Sequence, residues 1–355
     1  MPSTIELASD RVVVYGLSTE GYSIACQMAI NGANVFIIDE SSQSAISLKA
    51  EIAKTYPNVS SLKEDEPLLA MEPIDVAISK SQYLFFAPRI RKTGQETKTE
   101  VHSKFKDATS SLKKGSSVVY TLPTGIGGNS ENISLLEHVT GLEAGKSISY
   151  YYYPLGGGSQ LPKVVGSFNN KQDPTLASLL TNSKKEISFV GISSAEHFHA
   201  INVLSRFSTL CSVLEVCKFA HDDTTKTDLH SDDFQNIFLD DMVNGLYDLR
   251  SLGTSFEGAN TLMYLINGSL KGIDGYIKRL IDEIRSTLKK NDLKASRTKI
   301  ALSWSIDQHE MRGDKIEMLE KQGNWFKVKT RKNIIGFVYF NRVELIYDDH
   351  GIFNK

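Results

Sequence analysis

The sequence predicts an α/β fold, in which a mostly parallel sheet with helices on both faces is followed by a helical region and a small β-barrel. Short β-branched runs alternate with helical patterns over 11–190. Apolar residues recur at helical spacing over 193–215 and 271–290. Short alternating strands separated by polar turns fill 299–347. The 355 residues are enough for two or three cores, and we predict domains at 1–190, 191–295 and 298–350.

The first predicted element is a βαβ unit. The β-branched run Arg11–Tyr15 enters a glycine turn at Gly16–Gly21, and the helical pattern that follows ends at Asn31-Gly32. A second apolar strand, Asn34–Ile38, ends in Asp39. A strand, a glycine turn, a helix, a strand and a terminal acid in this order are the pattern of a Rossmann-type dinucleotide-binding unit.

The turn of this unit departs from the dinucleotide pattern at one position. Gly16 permits the tight turn and Gly21 permits close helix–strand packing, but Ser18 replaces the glycine that lets a pyrophosphate approach the backbone. Thr19 follows it in the predicted phosphate-facing turn. Asp39 favours NAD over NADP, because a carboxylate repels the 2′-phosphate. Two interpretations are open: the unit binds NAD, or it keeps the geometry without a ligand. No other cofactor is predicted.

Composition excludes several classes of function. The net charge is −2 and no Lys/Arg run stands out, which argues against nucleic-acid binding. The longest apolar runs are far shorter than a membrane span, and the N-terminus lacks the pattern of a signal peptide. The odd set of Cys26, Cys211 and Cys217 predicts free thiols in a reducing cytoplasm. No metal site is predicted, since His197 and His199 are two apart and face different sides of a helix.

Residues 253–264 carry a family resemblance. They read Gly-Thr-Ser-Phe-Glu-Gly-Ala-Asn-Thr-Leu-Met-Tyr, which resembles the active-site segment of the UDP-glucose/GDP-mannose dehydrogenase family, roughly Gly-x-Gly-Phe-Gly-Gly-Ser-Cys-x-Pro-Lys-Asp. The resemblance places Asn260 at the nucleophilic Cys, and Met263 and Tyr264 at the Lys and Asp. In that family the thiolate attacks an aldehyde on the way to a thioester. A carboxamide cannot replace that thiolate.

Further segments resemble the same family. Pro88 belongs to a corner, and Thr121 to a Pro/Gly turn, that line the cofactor in the family, so the resemblance implies the same roles here. The family's water-activating Glu corresponds to Leu155. In the helix over 193–215, counting from Glu196, the family's Lys corresponds to His199 and its Asn to Val203. The resemblance also implies a helical domain like that of 6-phosphogluconate dehydrogenase, through which the chain forms a homodimer.

The tail differs from the family, which continues into a UDP-binding domain. Residues 299–347 instead resemble a Src-homology-3 domain. Trp304, Trp325 and Tyr339 fall in this module and predict an exposed aromatic contact with a protein partner. A purely structural barrel is the alternative interpretation.

These observations leave two hypotheses. The first is a non-catalytic relative of the nucleotide-sugar dehydrogenases that works as a dimeric scaffold or a nucleotide-responsive interaction protein. The alternative is an active NAD-dependent oxidoreductase with altered chemistry, in which His199 serves as the base.

Overall fold

The structure is a computed structural model, and the residues it describes are 10–40, 44–56, 70–89, 95–155, 163–181, 187–216, 248–255, 261–293, 317–322, 325–329 and 335–339. The chain divides into two compact units. Unit 1 comprises Met1–Leu229 and Ile237–Gly272, and unit 2 comprises His230–Asn236 and Ile273–Lys355. Among the described helices, none is both long and apolar enough to cross a membrane.

The described residues of unit 1 form a nine-stranded sheet. Its strands are β1 (Arg11–Tyr15), β2 (Asn34–Ile38), β3 (Ser44–Leu48), β4 (Met71–Pro73), β5 (Tyr83–Phe86), β6 (Ser117–Tyr120), β7 (Ser149–Tyr152), β8 (Lys163–Ser167) and β9 (Ile187–Gly191). Their order across the sheet is β4-β3-β2-β1-β5-β6-β7-β8-β9. The pairings β2–β1, β1–β5, β5–β6, β6–β7 and β8–β9 are parallel. The pairings β2–β3, β3–β4 and β7–β8 are antiparallel. The predicted α/β class with a mostly parallel sheet is confirmed.

Helices cover both faces of this sheet. They are α1 (Thr19–Ile30), α2 (Ala50–Thr55), α3 (Ile74–Ser79), α4 (Gln95–Thr109), α5 (Gly128–Thr140) and α6 (Pro174–Leu180). One apolar cluster joins alternate residues of β1 and β2 to α1 and α6. A second cluster joins the other residues of those strands to α3, α4 and α5. The central strands are therefore buried on both sides, which explains their continuous apolar runs.

Two long helices follow the sheet. Helix α7 (Ile192–Val216) begins directly after β9, one residue before the predicted start at Ser193. Helix α8 (Thr261–Lys290) begins well before the predicted Lys271. A Cβ at Gly272 would lie 2.0 Å from the Sγ of Cys211, so this glycine permits close packing of α8 on α7. The predicted bounds of the helical domain stay a prediction.

The described residues of unit 2 include a three-stranded antiparallel sheet. Its strands are β10 (Glu317–Gln322), β11 (Trp325–Lys329) and β12 (Ile335–Tyr339), in that order. Trp325 stands directly opposite Tyr339 in the register. Trp304 lies outside the described residues. The antiparallel strands agree with an all-β tail, while closure into a Src-homology-3-like barrel stays a prediction.

Candidate functional site

The carboxyl ends of β2, β1, β5 and β6 lie side by side in the sheet. The chain leaves β1 through α1 to reach β2 on one side, and β5 lies on the other, so a topological switch point opens here. Ligands of open α/β sheets bind at such points. We call this region the nucleotide crevice and define it by residues Gly16–Gly21, Asp39–Glu40, Ala87–Arg89 and Thr121.

Two glycines of the nucleotide crevice are required by packing alone. Gly16 has a φ of +110°, and a Cβ on it would lie 2.2 Å from the carbonyl oxygen of Ala87 and 2.4 Å from the Cα of Pro88. A Cβ on Gly21 would lie 2.9 Å from the Ser18 Oγ and 3.0 Å from the Ala87 Cβ. The fold therefore needs both glycines whether or not a dinucleotide binds.

Ser18 uses its hydroxyl within the protein. Its Oγ accepts a hydrogen bond from the backbone N–H of Gly21 at 3.0 Å, which caps α1, and donates one to the carbonyl oxygen of Ala87 at 3.1 Å. Thr19 is the first residue of α1. The free N–H groups at the start of a helix are a common binding site for phosphate groups. At Gly21 the protein's own hydroxyl already occupies one of them.

Asp39 follows β2 as predicted, and the next residue forms bonds that the sequence did not reveal. The carboxylate of Glu40 accepts a hydrogen bond from the backbone N–H of Arg89 at 2.5 Å and pairs with Lys104 of α4. Lys104 also pairs with Glu100 at 2.8 Å. Burial alone would lower the pKa of Lys104, but its bonds to Glu100 and Glu40 outweigh burial and raise that pKa. The only sign of these bonds in the sequence is that two consecutive acids, Asp39 and Glu40, directly follow β2.

Thr121 is buried, and its hydroxyl donates a hydrogen bond to the carbonyl oxygen of Phe86 at 2.7 Å. This bond joins the ends of β6 and β5. Pro88, which follows β5, lies against Gly16. The structure thus places all the predicted cofactor residues in one crevice, while their contact with a cofactor stays a prediction.

A second candidate region lies within unit 1 between α7, the turn after β6 and the helical residues 248–253. We call it the helical cleft. Its lining residues are Pro123, Gly125, Glu196, His199, Ala200, Val203, Asp248 and Leu252. The cavity volume is about 10 Å³, which is about the room that one water molecule needs.

Glu196 is a buried carboxylate with three hydrogen bonds from one turn. It accepts from the backbone N–H of Gly127 at 2.9 Å, from that of Asn129 at 3.0 Å and from the Asn129 side-chain amide at 2.7 Å. The Asn129 Oδ1 in turn accepts from the Tyr150 hydroxyl at 2.6 Å. A negative charge here also complements the N-terminus of α5. Glu196 therefore fixes α7 to the start of α5.

His199 pairs with a residue that the sequence did not single out. Its Nε2 lies 3.2 Å from the Oδ2 of Asp248, 49 residues later in the chain, and both side chains are largely buried. The imidazole meets the ring of Tyr152 edge-on at a centroid distance of 6.5 Å. Burial raises the pKa of Tyr152, and the nearby Asp248 and Glu196 carboxylates raise it further. Tyr152 is therefore a neutral phenol at physiological pH.

The remaining positions that the resemblance aligns with the family's catalytic groups carry side chains of a different chemical type. Val203 is buried in the helical cleft, and Leu155 packs partly buried against the apolar core. Met263 and Tyr264 lie in the first turn of α8, where Tyr264 is 73% exposed. Asn260 lies outside the described residues. Within the described ranges, no group of three or more His, Cys, Asp or Glu residues could hold a metal ion.

The backbone nevertheless brings the family-like segments together. Gly125 has a φ of +72°, and a Cβ on it would lie 2.3 Å from the Ser255 Oγ and 2.5 Å from the Ser251 carbonyl oxygen. The Ile126 N–H donates to the Ser255 Oγ at 2.9 Å. The turn after β6, the start of α7 and the beginning of the Gly253 segment therefore meet at one place.

Known structures share this architecture. UDP-D-ManNAc dehydrogenase from Pyrococcus horikoshii aligns over 82% of this chain and 74% of its own, at 15% sequence identity and a TM-score of 0.56. UDP-glucose dehydrogenase from Pyrobaculum islandicum aligns over 81% and 73%, at 13% identity and a TM-score of 0.56. The chain shares its fold with these dehydrogenases. No protein-family model matches the sequence, and no curated protein matches it.

Proposed function

We propose that this chain is a non-catalytic relative of the nucleotide-sugar dehydrogenases, acting as a dimeric scaffold or a nucleotide-responsive interaction protein. The observation that carries the proposal is the set of side chains that line the helical cleft. Where the family has a Lys and an Asn on one helix, this chain has His199, which is paired with Asp248, and Val203, which is apolar and buried.

The chemistry of the missing groups explains why their joint loss matters. The family's reaction needs a nucleophile that forms a thiohemiacetal, cations or amides that stabilise the oxyanion, and a carboxylate that activates water. Asn260 offers no thiolate, Val203 donates no hydrogen bond and Leu155 has no carboxylate.

The remaining parts of the proposal concern binding. The nucleotide crevice keeps Gly16, Gly21 and Asp39, the features that favour NAD. The cofactor proposed is therefore NAD, with weak affinity because of Ser18. Self-association through the helical region and a protein contact at Trp304, Trp325 and Tyr339 belong to the same proposal; the opposed register of Trp325 and Tyr339 supports an aromatic cluster.

One observation favours a second function. The hydrogen bond between Asp248 and His199 is the arrangement by which a carboxylate orients a histidine base. With NAD bound, His199 would accept the hydroxyl proton while a hydride left to the nicotinamide. This is the alternative of an NAD-dependent oxidoreductase that performs a single two-electron step.

Turnover assays separate these functions. We expect no NADH formation above a no-enzyme control when the full chain is mixed with NAD and UDP-glucose, UDP-N-acetylmannosamine or GDP-mannose. An active dehydrogenase of the family in the same buffer is the positive control. Asn260→Cys should not restore turnover, because the other groups are missing as well. NADH formation that His199→Ala abolishes would establish the second function instead.

A further inference from the structure

Two hydrogen bonds cross the nucleotide crevice. The Ser18 hydroxyl donates to the carbonyl oxygen of Ala87, and the Glu40 carboxylate accepts from the N–H of Arg89. In the strand order β2-β1-β5, Glu40 follows β2, whereas Arg89 lies beyond β5. Strand β1 lies between β2 and β5, so the Glu40–Arg89 bond joins the two chain segments that leave the strands on either side of β1.

The crossing side chain is held from a third direction. Lys104 of α4 pairs with Glu40, and Glu100 on the same helix pairs with Lys104. The side chains of Lys104 and Glu40 are 20% and 14% exposed. Ion pairs covered in this way are screened less than surface pairs, so Glu40 is not a freely moving acid.

The two bonds occupy the places that a dinucleotide uses. In such a crevice the pyrophosphate lies at the helix start and the adenosine ribose lies on the acid after the second strand. The Ser18 Oγ already holds the Gly21 N–H. The Glu40 carboxylate stands next to Asp39, and its charge also repels phosphate oxygens.

We propose that Glu40 is the residue that limits the affinity of the nucleotide crevice for NAD, with Ser18 as the second barrier. The inference rests on the proposed function, since it treats the same crevice as the ligand site. It means that a nucleotide must displace the Glu40–Arg89 bond before it binds. The apparent affinity is then the intrinsic affinity multiplied by the fraction of molecules in which this bond is open.

Calorimetry with NAD on the full chain tests the proposal. Glu40→Ala removes the crossing side chain, and we expect NAD to bind about tenfold more tightly or better than to the unmodified chain. Glu40→Gln keeps an oxygen that accepts from Arg89, so its gain should be clearly smaller. Ser18→Gly should add a further gain in the double variant. Glu100→Ala is the matched control, because it removes an acid from the same ion-pair cluster without clearing the crevice.

Several outcomes overturn the proposal. Affinity that falls in Glu40→Ala would mean that Glu40 itself binds the ligand. Equal gains in NAD affinity for Glu40→Gln and Glu40→Ala would show that the Glu40–Arg89 bond is not the barrier. An equal gain in Glu100→Ala would show the same. If no variant binds NAD measurably, the proposal is also wrong. If Glu40→Ala does not fold, Glu40→Ser replaces it. None of these outcomes changes the result of the turnover assay. The role of Glu40 in NAD binding and the lack of catalysis are therefore tested independently.

Discussion

The nucleotide crevice and the helical cleft differ in what they keep. The crevice keeps the backbone-determining residues, since Gly16 and Gly21 are required by packing against Ala87. The helical cleft is determined instead by its side chains, which include the hydrogen-bonded His199 and the buried, apolar Val203. The crevice glycines serve the fold whether or not a ligand binds, whereas the chemistry of the cleft depends on which side chains line it.

The two regions also share a feature. In each region, a side-chain oxygen accepts hydrogen bonds from backbone N–H groups at the start of a helix, where an anion could otherwise bind. These oxygens belong to Ser18 at α1 and to Glu196 at α5. Glu196 is buried and Ser18 is partly buried. Removing the cleft acid should therefore destabilise the fold, whereas altering the crevice oxygens should mainly change ligand binding.

The largest effect is expected at the crevice glycine. Gly16→Ala should lower the free energy of unfolding by roughly 4 kcal/mol, because the new Cβ would meet the Ala87 carbonyl in addition to the strain of a positive φ. Gly32→Ala is the control, since its φ is +96° but nothing lies within 4 Å of the built Cβ. It should cost roughly 1 kcal/mol. Equal losses in urea unfolding would show that packing at Gly16 does not matter.

The next largest effect is expected in the cleft. Glu196→Ala leaves the buried N–H of Asn129 and the N–H of Gly127 without their acceptor and should cost roughly 3 kcal/mol. Glu131→Ala, an exposed acid in the first turn of the same α5, should change stability by less than about 0.5 kcal/mol. Thermal and urea unfolding of both variants measure the difference. A cost for Glu196→Ala as small as the control's would contradict its role in fixing α7 to α5.

A smaller effect is expected for the His199–Asp248 pair. A double-mutant cycle with His199→Ala and Asp248→Asn should give a coupling free energy of roughly 1 kcal/mol, as for a partly buried hydrogen bond. Additive losses would show that the two side chains do not interact in solution. Turnover assays on the same variants would then also count against His199 as an oriented base.

The smallest effect is expected at Thr121. Thr121→Val removes a buried hydroxyl that donates to Phe86 and should cost roughly 1 kcal/mol of stability. If this hydroxyl serves only the sheet, NAD affinity should not change beyond about twofold. A larger loss of affinity with unchanged stability would make Thr121 a cofactor contact, as the resemblance implies.

The strands and the glycine turn of the βαβ unit could be predicted from local sequence. Arg11–Tyr15 and Asn34–Ile38 have the predicted bounds because buried parallel strands read as continuous apolar runs. The start of α8 could not be predicted in this way. Its first half includes Gly268 and Gly272, which disfavour a helix locally. At Gly272 the close packing of α8 on α7 leaves no space for a Cβ.

The partners of the site residues depend on tertiary structure. The sequence determined the α/β class and the crevice glycines, because each of these is a property of residue type and order. It did not determine that Glu40 reaches Arg89 or that His199 meets Asp248. Those pairs join residues 49 positions apart in both cases, and only the packing of strands and helices brings their atoms within hydrogen-bonding distance.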